Sequence, residues 1–276
     1  MKNVKKIGFW GYPDPEVVNR IKNQYPNSEW VDLDIDFGYP RVNILPESNC
    51  KIIRNIVDNV FYLKPDLIIA PKGKDKCDSG WFVSKILEKE GFDIVTTIYE
   101  KLEPKRAIKI CTSNLPLYDK VQLITAGIIN PEIFEKDSIL SPNPLPQGTG
   151  EVATDLDSHL PLPQGTGEVV TGLDSHLPLP GFWGVPPNDL EILKLFPDST
   201  RVYGWLRCVE AGTPADLDLE MYVDENVPTV FYAQAFCAKS QLAKYLADKY
   251  NGLYIDIDDY ASNSIKAKIE AFLRLR

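Results

Sequence analysis

Cysteine is the residue type in this chain that best suggests chemistry, and it occurs five times. Cys77 and Cys237 each follow a short apolar run, DLIIAP and TVFYAQAF, and each precedes a helical pattern. A helix N-terminus lowers the pKa of a nearby thiol and favours the reactive thiolate. Lys72, Lys74 and Lys76 would act on Cys77 in the same direction. The sequence therefore predicts Cys77 and Cys237 as catalytic residues.

Two other cysteines, Cys111 and Cys208, close the apolar runs RAIKIC and RVYGWLRC and are expected to end strands. The carboxyl ends of parallel strands form the edge at which α/β proteins bind ligands. Three or four thiolates at this edge could hold a soft metal or an iron–sulfur cluster. The predicted metal ligands are therefore Cys77, Cys111, Cys208 and Cys237. Cys50, on the helical pattern NCKIIRNIVDNVFYL, is expected to pack in a core.

The loop APKGKDKCDSGW around Cys77 is a candidate anion site. Lysines beside a helix start can hold a phosphate or a carboxylate. The alternative is a solvated loop, because the spacing is not that of a Walker loop. A G-x-G-x-x-G motif is also missing from the sequence, so neither NAD nor FAD is predicted. The expected ligand is a small anionic molecule, and its predicted contacts are Lys72, Lys74, Lys76, Ser79 and Gly80.

Two acidic strings, DLDID at 32–36 and YIDIDDY at 254–260, alternate acidic and apolar residues. Alternating side chains share one face of a strand. Such carboxylates could bind Mg²⁺. The expected role of both strings is the solvent face of a half-buried strand.

The elements that position these residues are predicted from a word that occurs twice, GFWG at 8–11 and at 181–184. Each copy ends an apolar run and precedes an expected amphipathic helix, an aromatic-Pro-Asn/Asp-Ser sequence and a second apolar run. This β-α-β pattern predicts parallel sheets. Cys77 and Cys237 fall at equivalent places further along. The predicted fold is α/β, with two pseudo-symmetric Rossmann-like lobes from an internal duplication.

A tandem repeat separates the two halves: PLPQGTGEVATDLDSHL at 144–160 and PLPQGTGEVVTGLDSHL at 161–177. Its composition has neither helical nor strand periodicity and predicts a flexible linker. The expected domains are a first lobe at 1–136, the linker at 137–180 and a second lobe at 181–276. Both histidines lie in the repeat. A histidine base or an imidazole-bound metal is therefore not expected in the lobes.

Composition narrows the class of protein. The formal charge is −9 without a basic stripe, so nucleic acid is not an expected partner. The sequence shows no signal peptide and no apolar run long enough for a membrane span. An odd number of cysteines is not typical of a secreted disulfide framework. We expect a cytoplasmic protein, for which a homodimer is compatible with the sequence.

One cysteine from each of two pseudo-symmetric lobes resembles the architecture of the cofactor-independent aspartate/glutamate racemase superfamily. The resemblance rests on Cys77 and Cys237 and implies a pair of thiols that act as acid and base. The surrounding residues, KCDSG and FCAKS, differ from that family's CNT and CT. Membership of the family is therefore not inferred.

Three functions follow from these residues. The first is an enzyme with an iron–sulfur cluster or another thiolate-bound metal in a cleft between the lobes. The second is a cofactor-independent racemase or epimerase that uses Cys77 and Cys237. The third is a two-lobed binding or accessory protein for a metabolite or a metallocofactor.

Overall fold

The computed structural model describes most of the two predicted lobes. The described residues are 3–73, 76–98, 110–128, 130, 179–210, 217–258 and 260–275. Lys74 and all but the last two residues of the predicted linker lie outside these ranges. In the described part, no helix is both long and apolar enough to cross a membrane.

The first half of the chain forms a four-stranded, all-parallel sheet in the order β2-β1-β3-β4. Its strands are β1 (Lys6–Phe9), β2 (Glu29–Asp32), β3 (Leu67–Lys72) and β4 (Ile94–Ile98). The central strands β1 and β3 are the most apolar, because they are covered on both faces.

The second half forms another four-stranded, all-parallel sheet in the order β6-β5-β7-β8. Its strands are β5 (Gly181–Gly184), β6 (Arg201–Tyr203), β7 (Thr229–Ala233) and β8 (Leu253–Asp256). The α/β class with parallel sheets is therefore confirmed. The common strand order is what an internal duplication would produce, and the duplication itself stays a prediction.

Helices connect and cover the strands. They are α1 (Pro15–Gln24), α2 (Lys51–Leu63), α3 (Asp78–Lys89), α4 (Leu117–Gly127), α5 (Trp205–Glu210), α6 (Leu217–Met221), α7 (Lys239–Lys249) and α8 (Asn263–Leu275), with 3-10 helices at Ile110–Thr112 and Leu190–Leu195. The helix expected after the second GFWG is this short 3-10 helix. Its end is explained by Pro197, which favours the extended backbone that Phe196 adopts.

The two GFWG words occupy matching places in the two sheets. Phe9 and Phe182 belong to one apolar core that contains residues of both halves of the chain. Trp10 and Trp183 belong to two other cores, one in each half. Neighbouring residues of a strand point to opposite faces, so each word supplies one aromatic ring to the shared core and one to its own half.

Polar contacts also join the two halves. The buried Lys120 on α4 donates from its Nζ to the carbonyl oxygen of Thr200 at 2.5 Å. Arg54 on α2 forms an ion pair with Asp258, beyond β8. The shared core and these contacts hold the carboxyl ends of the two sheets against a common space.

Candidate functional site

A cavity of about 350 Å³ lies between the two sheets. It is lined by the segments that follow β1, β2 and β5, by the first turns of α2 and α3, by α4 and by residues at the start of α7. This is the edge at which parallel α/β sheets bind ligands. The volume is in the range of small-molecule sites.

Most of the cavity wall is apolar. Its larger apolar and aromatic contributors are Trp10, Tyr12, Ile52, Ile53, Ile56, Tyr118, Val121, Ile128, Val185, Leu190 and Trp205. A small number of polar groups interrupt this wall, which is the usual composition of a site that binds an organic molecule.

Three cysteines, Cys50, Cys77 and Cys237, line the cavity. Cys77 is the N-cap of α3, the position that the sequence predicts. Cys237 lies two residues before α7, in a turn whose Cys237 carbonyl accepts a hydrogen bond from the Ser240 N–H. Thiols from both halves of the chain thus meet at one space.

Burial changes the acidity of these thiols. It raises the pKa of Cys237, against the lowering effect of the Lys239 N–H. It also raises the pKa of Cys50 to about 11. The expected lowering by the helix N-terminus is therefore wrong for Cys237, because loss of water outweighs the backbone dipoles. Cys237 and Cys50 are neutral thiols at neutral pH.

Cys50 has a second role besides the packing that its sequence indicates. It lies at the margin of the core of the first half, as expected. It is also the N-cap of α2 with an extended backbone, and it lines the cavity. The apolar pattern of NCKIIRNIVDNVFYL shows the packing face but not where the helix begins.

The structure does not bring Cys111 and Cys208 to the cavity. Cys111 lies in the 3-10 helix Ile110–Thr112, and residues 106–109 of its predicted strand lie outside the described residues. Cys208 lies within α5 rather than at the end of a strand. Both side chains are fully buried. Strand β6 stops at Tyr203 because Gly204 turns the backbone with a φ of +71°. Neither residue is among the cavity-lining residues.

The donor set for a metal is correspondingly incomplete. Over the part of the chain that the structure describes, no three His, Cys, Asp or Glu side chains form a metal-ligating group. The four-cysteine metal set therefore stays a prediction without support from geometry.

The acidic string at 32–36 lies at the cavity rather than on a solvent face. Strand β2 ends at Asp32, so Asp34 and Asp36 follow the strand, and all three line the cavity. Asp34 accepts a hydrogen bond from the Gly11 N–H at 2.7 Å through Oδ2. The Asp34 N–H in turn donates to Asp32 Oδ1 at 2.9 Å. The position of this string at the end of a strand was the signal in the sequence.

Burial raises the pKa of both inner carboxyls. The pKa of Asp34 rises to about 6, although the Gly11 N–H opposes the change. The pKa of Asp32 rises well above its ordinary value through burial and through the charge of Asp34. Both residues are half-buried, and both line the cavity. Perturbed carboxyls in a cleft are frequent at functional sites.

The second acidic string divides between solvent and the contact between the halves: Asp256 is exposed, as the sequence predicts, and Asp258 lies at the contact. Asp258 pairs with Arg54, and Asp256 accepts a hydrogen bond from the Tyr254 hydroxyl at 3.0 Å. Asp259 lies outside the described residues. A solvent face therefore does not account for Asp258.

The predicted anion contacts divide between two spaces. Lys72, Lys76 and Cys77 line a smaller cavity of about 230 Å³ beside the first. Lys76, Cys77 and Gly80 line the larger cavity. The Lys72 Nζ lies 4.6 Å from the centre of the Trp81 ring, a cation–π contact. Ser79 lines neither of these two cavities, and Lys74 is not described.

No protein-family model matches the chain, and no curated protein matches it in sequence. The function therefore has to follow from the geometry of the cavity, its thiols and its carboxyls.

Proposed function

We propose that the protein is an enzyme that binds a small molecule between its two sheets and acts on it through the thiols of Cys77 and Cys237. One observation carries the proposal. These two cysteines, one from each half of the chain and each just before a helix, line the same cavity.

The chemistry that suits this pair is proton transfer at a carbon atom. Burial raises the pKa of Cys237, so its S–H bond is kept and can supply a proton. Cys77 is exposed, occupies the N-cap position of α3 and lines the cavity, so its sulfur is accessible to a substrate. The Cys77 thiolate would take a proton from a substrate C–H bond, and the electron pair left on carbon would take the Cys237 proton. The net result is isomerisation, without an oxidant or a reductant.

Deuterium exchange tests this proposal. The full chain is incubated in D₂O with a set of small chiral amines and acids, and loss of the C–H signal is followed by NMR. We expect exchange of a compound in the set by the unchanged protein. We expect its loss in Cys77→Ala and in Cys237→Ala, and its retention in Cys111→Ala, a control outside the cavity. Exchange that persists in Cys77→Ala or in Cys237→Ala would contradict the proposal.

A soft-metal centre is a second candidate, and Cys50 is the observation that favours it. Cys50, Cys77 and Cys237 provide three thiols at one cavity. Metal binding would require side-chain movement and loss of the thiol protons, which burial of Cys50 and Cys237 opposes. An iron–sulfur cluster would need the same three ligands.

Anaerobic purification distinguishes the two candidates. Stoichiometric iron or zinc that is lost in Cys50→Ala would favour the metal centre, and acid-labile sulfide would identify a cluster. Metal-free protein that still catalyses thiol-dependent exchange would eliminate the metal centre as the source of the activity. Ligand binding without turnover in either assay would favour the third possibility, a binding or accessory protein.

A further inference from the structure

We propose that the ligand of the cavity carries a cationic nitrogen, which pairs with the carboxylates of Asp32 and Asp34. The inference rests on the proposed function for the location of the ligand, but not for the chemistry of the thiols. It differs from the anionic ligand that the lysines near Cys77 indicate.

The charges on the cavity wall lead to this class of ligand. Asp36 forms an ion pair with Lys51, with 3.3 Å between Asp36 Oδ2 and Lys51 Nζ, and Lys239 forms one with Glu220. Lys76 lines the large cavity and the smaller one beside it. Asp32 and Asp34, by contrast, form no ion pair with any residue that the structure describes.

The hydrogen bonds of the two carboxyls leave room for a donor. Backbone N–H groups bind Asp34 Oδ2 and Asp32 Oδ1. The second oxygen of each carboxyl has no hydrogen-bond partner among the described residues. An ammonium group has several N–H donors and can serve two acceptors at once. A cationic partner would make both bonds charge-assisted and therefore strong.

The energetics point in the same direction. A half-buried carboxylate without a cationic partner has lost part of its hydration, and protonation or a bound cation relieves this cost. The apolar side chains around the pair, such as Ile53 and Ile56, would contact the rest of the ligand. The ligand class is thus an amine with a small apolar body that fits about 350 Å³.

Binding of benzylamine, benzyl alcohol and benzoate to the full chain tests the inference, because the three probes share a ring and differ in charge. Isothermal titration at neutral pH is expected to show that benzylamine binds the tightest. Asp34→Asn and Asp32→Asn should each weaken benzylamine binding about tenfold or more. Each Asn retains an acceptor oxygen for the backbone N–H that its Asp binds.

Asp14→Asn is the matched control. It removes the same charge from the N-cap of α1, outside the cavity-lining residues, and Asn caps a helix as well as Asp. Its benzylamine affinity should equal that of the unchanged chain. Circular dichroism of each variant verifies folding, and either of the two cavity variants can carry the test if the other does not fold.

Three results would overturn the inference: tighter binding of benzoate than of benzylamine, undiminished benzylamine binding by Asp34→Asn and Asp32→Asn, or no benzylamine binding at millimolar concentrations. Cys77→Ala separates this inference from the proposed function. Benzylamine binding retained in Cys77→Ala supports the carboxylate site, whereas deuterium exchange retained in that variant contradicts only the thiol chemistry.

Discussion

At the scale of single residues, the surroundings decide the chemistry more than the residue type does. Cys77 is exposed at the start of α3, Cys237 is half-buried before α7, and Cys208 is fully buried inside α5. The thiolate is the nucleophile, so burial that raises a thiol pKa also lowers reactivity. Burial also raises the pKa of Asp32 and of Asp34 above the usual value of a carboxyl.

Thiol labelling should follow this order. At neutral pH, iodoacetamide is expected to modify Cys77 first and Cys237 and Cys50 more slowly. Cys111 and Cys208 should stay unmodified until the chain unfolds, because no reagent reaches a fully buried sulfur. Peptide mass spectrometry over time measures the order, and labelling of urea-unfolded protein is the control. Modification of Cys111 or Cys208 as fast as Cys77 would contradict the buried positions.

Asp34→Asn should change how stability depends on pH. The pKa of Asp34 is raised to about 6 in the folded chain, above its value when unfolded. Between about pH 4 and pH 6 the folded state therefore holds the proton more tightly, and stability from this group falls as pH rises. Asn does not ionise. Relative to the unchanged chain, the free energy of unfolding of the variant should rise by up to roughly 3 kcal/mol between about pH 4 and pH 7.

Urea unfolding of both proteins across this range measures the difference. The other charged or titratable groups that line the cavity are unchanged in both chains: Tyr12, Asp32, Asp36, Cys50, Lys76, Cys77, Tyr118, Cys237 and Lys239. Lys51, which pairs with Asp36, is also unchanged. Removal of the Asp34 charge also lowers the pKa of Asp32, which adds to the gain. A constant difference at every pH would show that the Asp34 pKa is not raised.

At the scale of elements, strand and helix ends place the functional side chains. Strand β2 ends at Asp32 and β6 at Tyr203, and helix α2 begins after Cys50. Glycines permit several of the sharp turns. Gly184 ends β5 with a φ of +154°, and a Cβ atom there would clash with the carbonyl oxygen of Tyr232 on β7.

Gly184→Ala should destabilise the second sheet strongly. The obstacle is backbone of the neighbouring strand, which cannot move without breaking the pairing of β5 with β7. The expected loss is about 3 kcal/mol or more. Gly91→Ala is the matched control, because Gly91 also has a positive φ, +92°, but has nothing within 4 Å of the added methyl. Its expected cost is about 1 kcal/mol.

Thermal unfolding of the two variants measures the comparison. Equal losses would mean that backbone conformation alone accounts for both, and that the close approach of β5 and β7 at Tyr232 is not important.

At the scale of the whole molecule, the cavity exists because two sheets are held at a common core. Phe9, Phe182 and α4 residues such as Leu117 and Ile124 belong to that core. The ion pair of Arg54 with Asp258 lies at the same junction, and its side chains are 12% and 25% exposed. The Nε of Arg54 and the Oδ1 of Asp258 are buried without a hydrogen-bond partner in the described part of the chain.

A double-mutant cycle on this ion pair should show strong coupling. Arg54→Met leaves Asp258 partly buried without its cation, and we expect a loss of roughly 3 kcal/mol in unfolding free energy. Asp258→Asn should cost a similar amount, because it leaves the more buried Arg54 cation without its anion. The double variant is expected to be more stable than the sum of the single losses predicts. Additive losses would show that the two charges do not interact.

The sequence predicts some features of this architecture because they depend on neighbouring residues. Apolar runs and turns indicate parallel β-α-β units, and the alternation of Phe and Trp in GFWG matches their division between cores. The position of Cys77 at the start of a helix is also local, since the helical segment Asp78–Lys89 follows it directly in the sequence. Such patterns do not show which strand ends lie together.

The sequence by itself therefore determined the α/β class, the parallel strands and the location of Cys77 and Cys237 near helix starts. Only the tertiary structure decided that Cys50 lines the cavity and that Cys111 and Cys208 are buried elsewhere. It also showed that Asp32 and Asp34, which were expected on a solvent face, line the cavity. The reason is physical: burial, and with it the pKa of a thiol or a carboxyl, depends on elements that are far away in the chain and close in space.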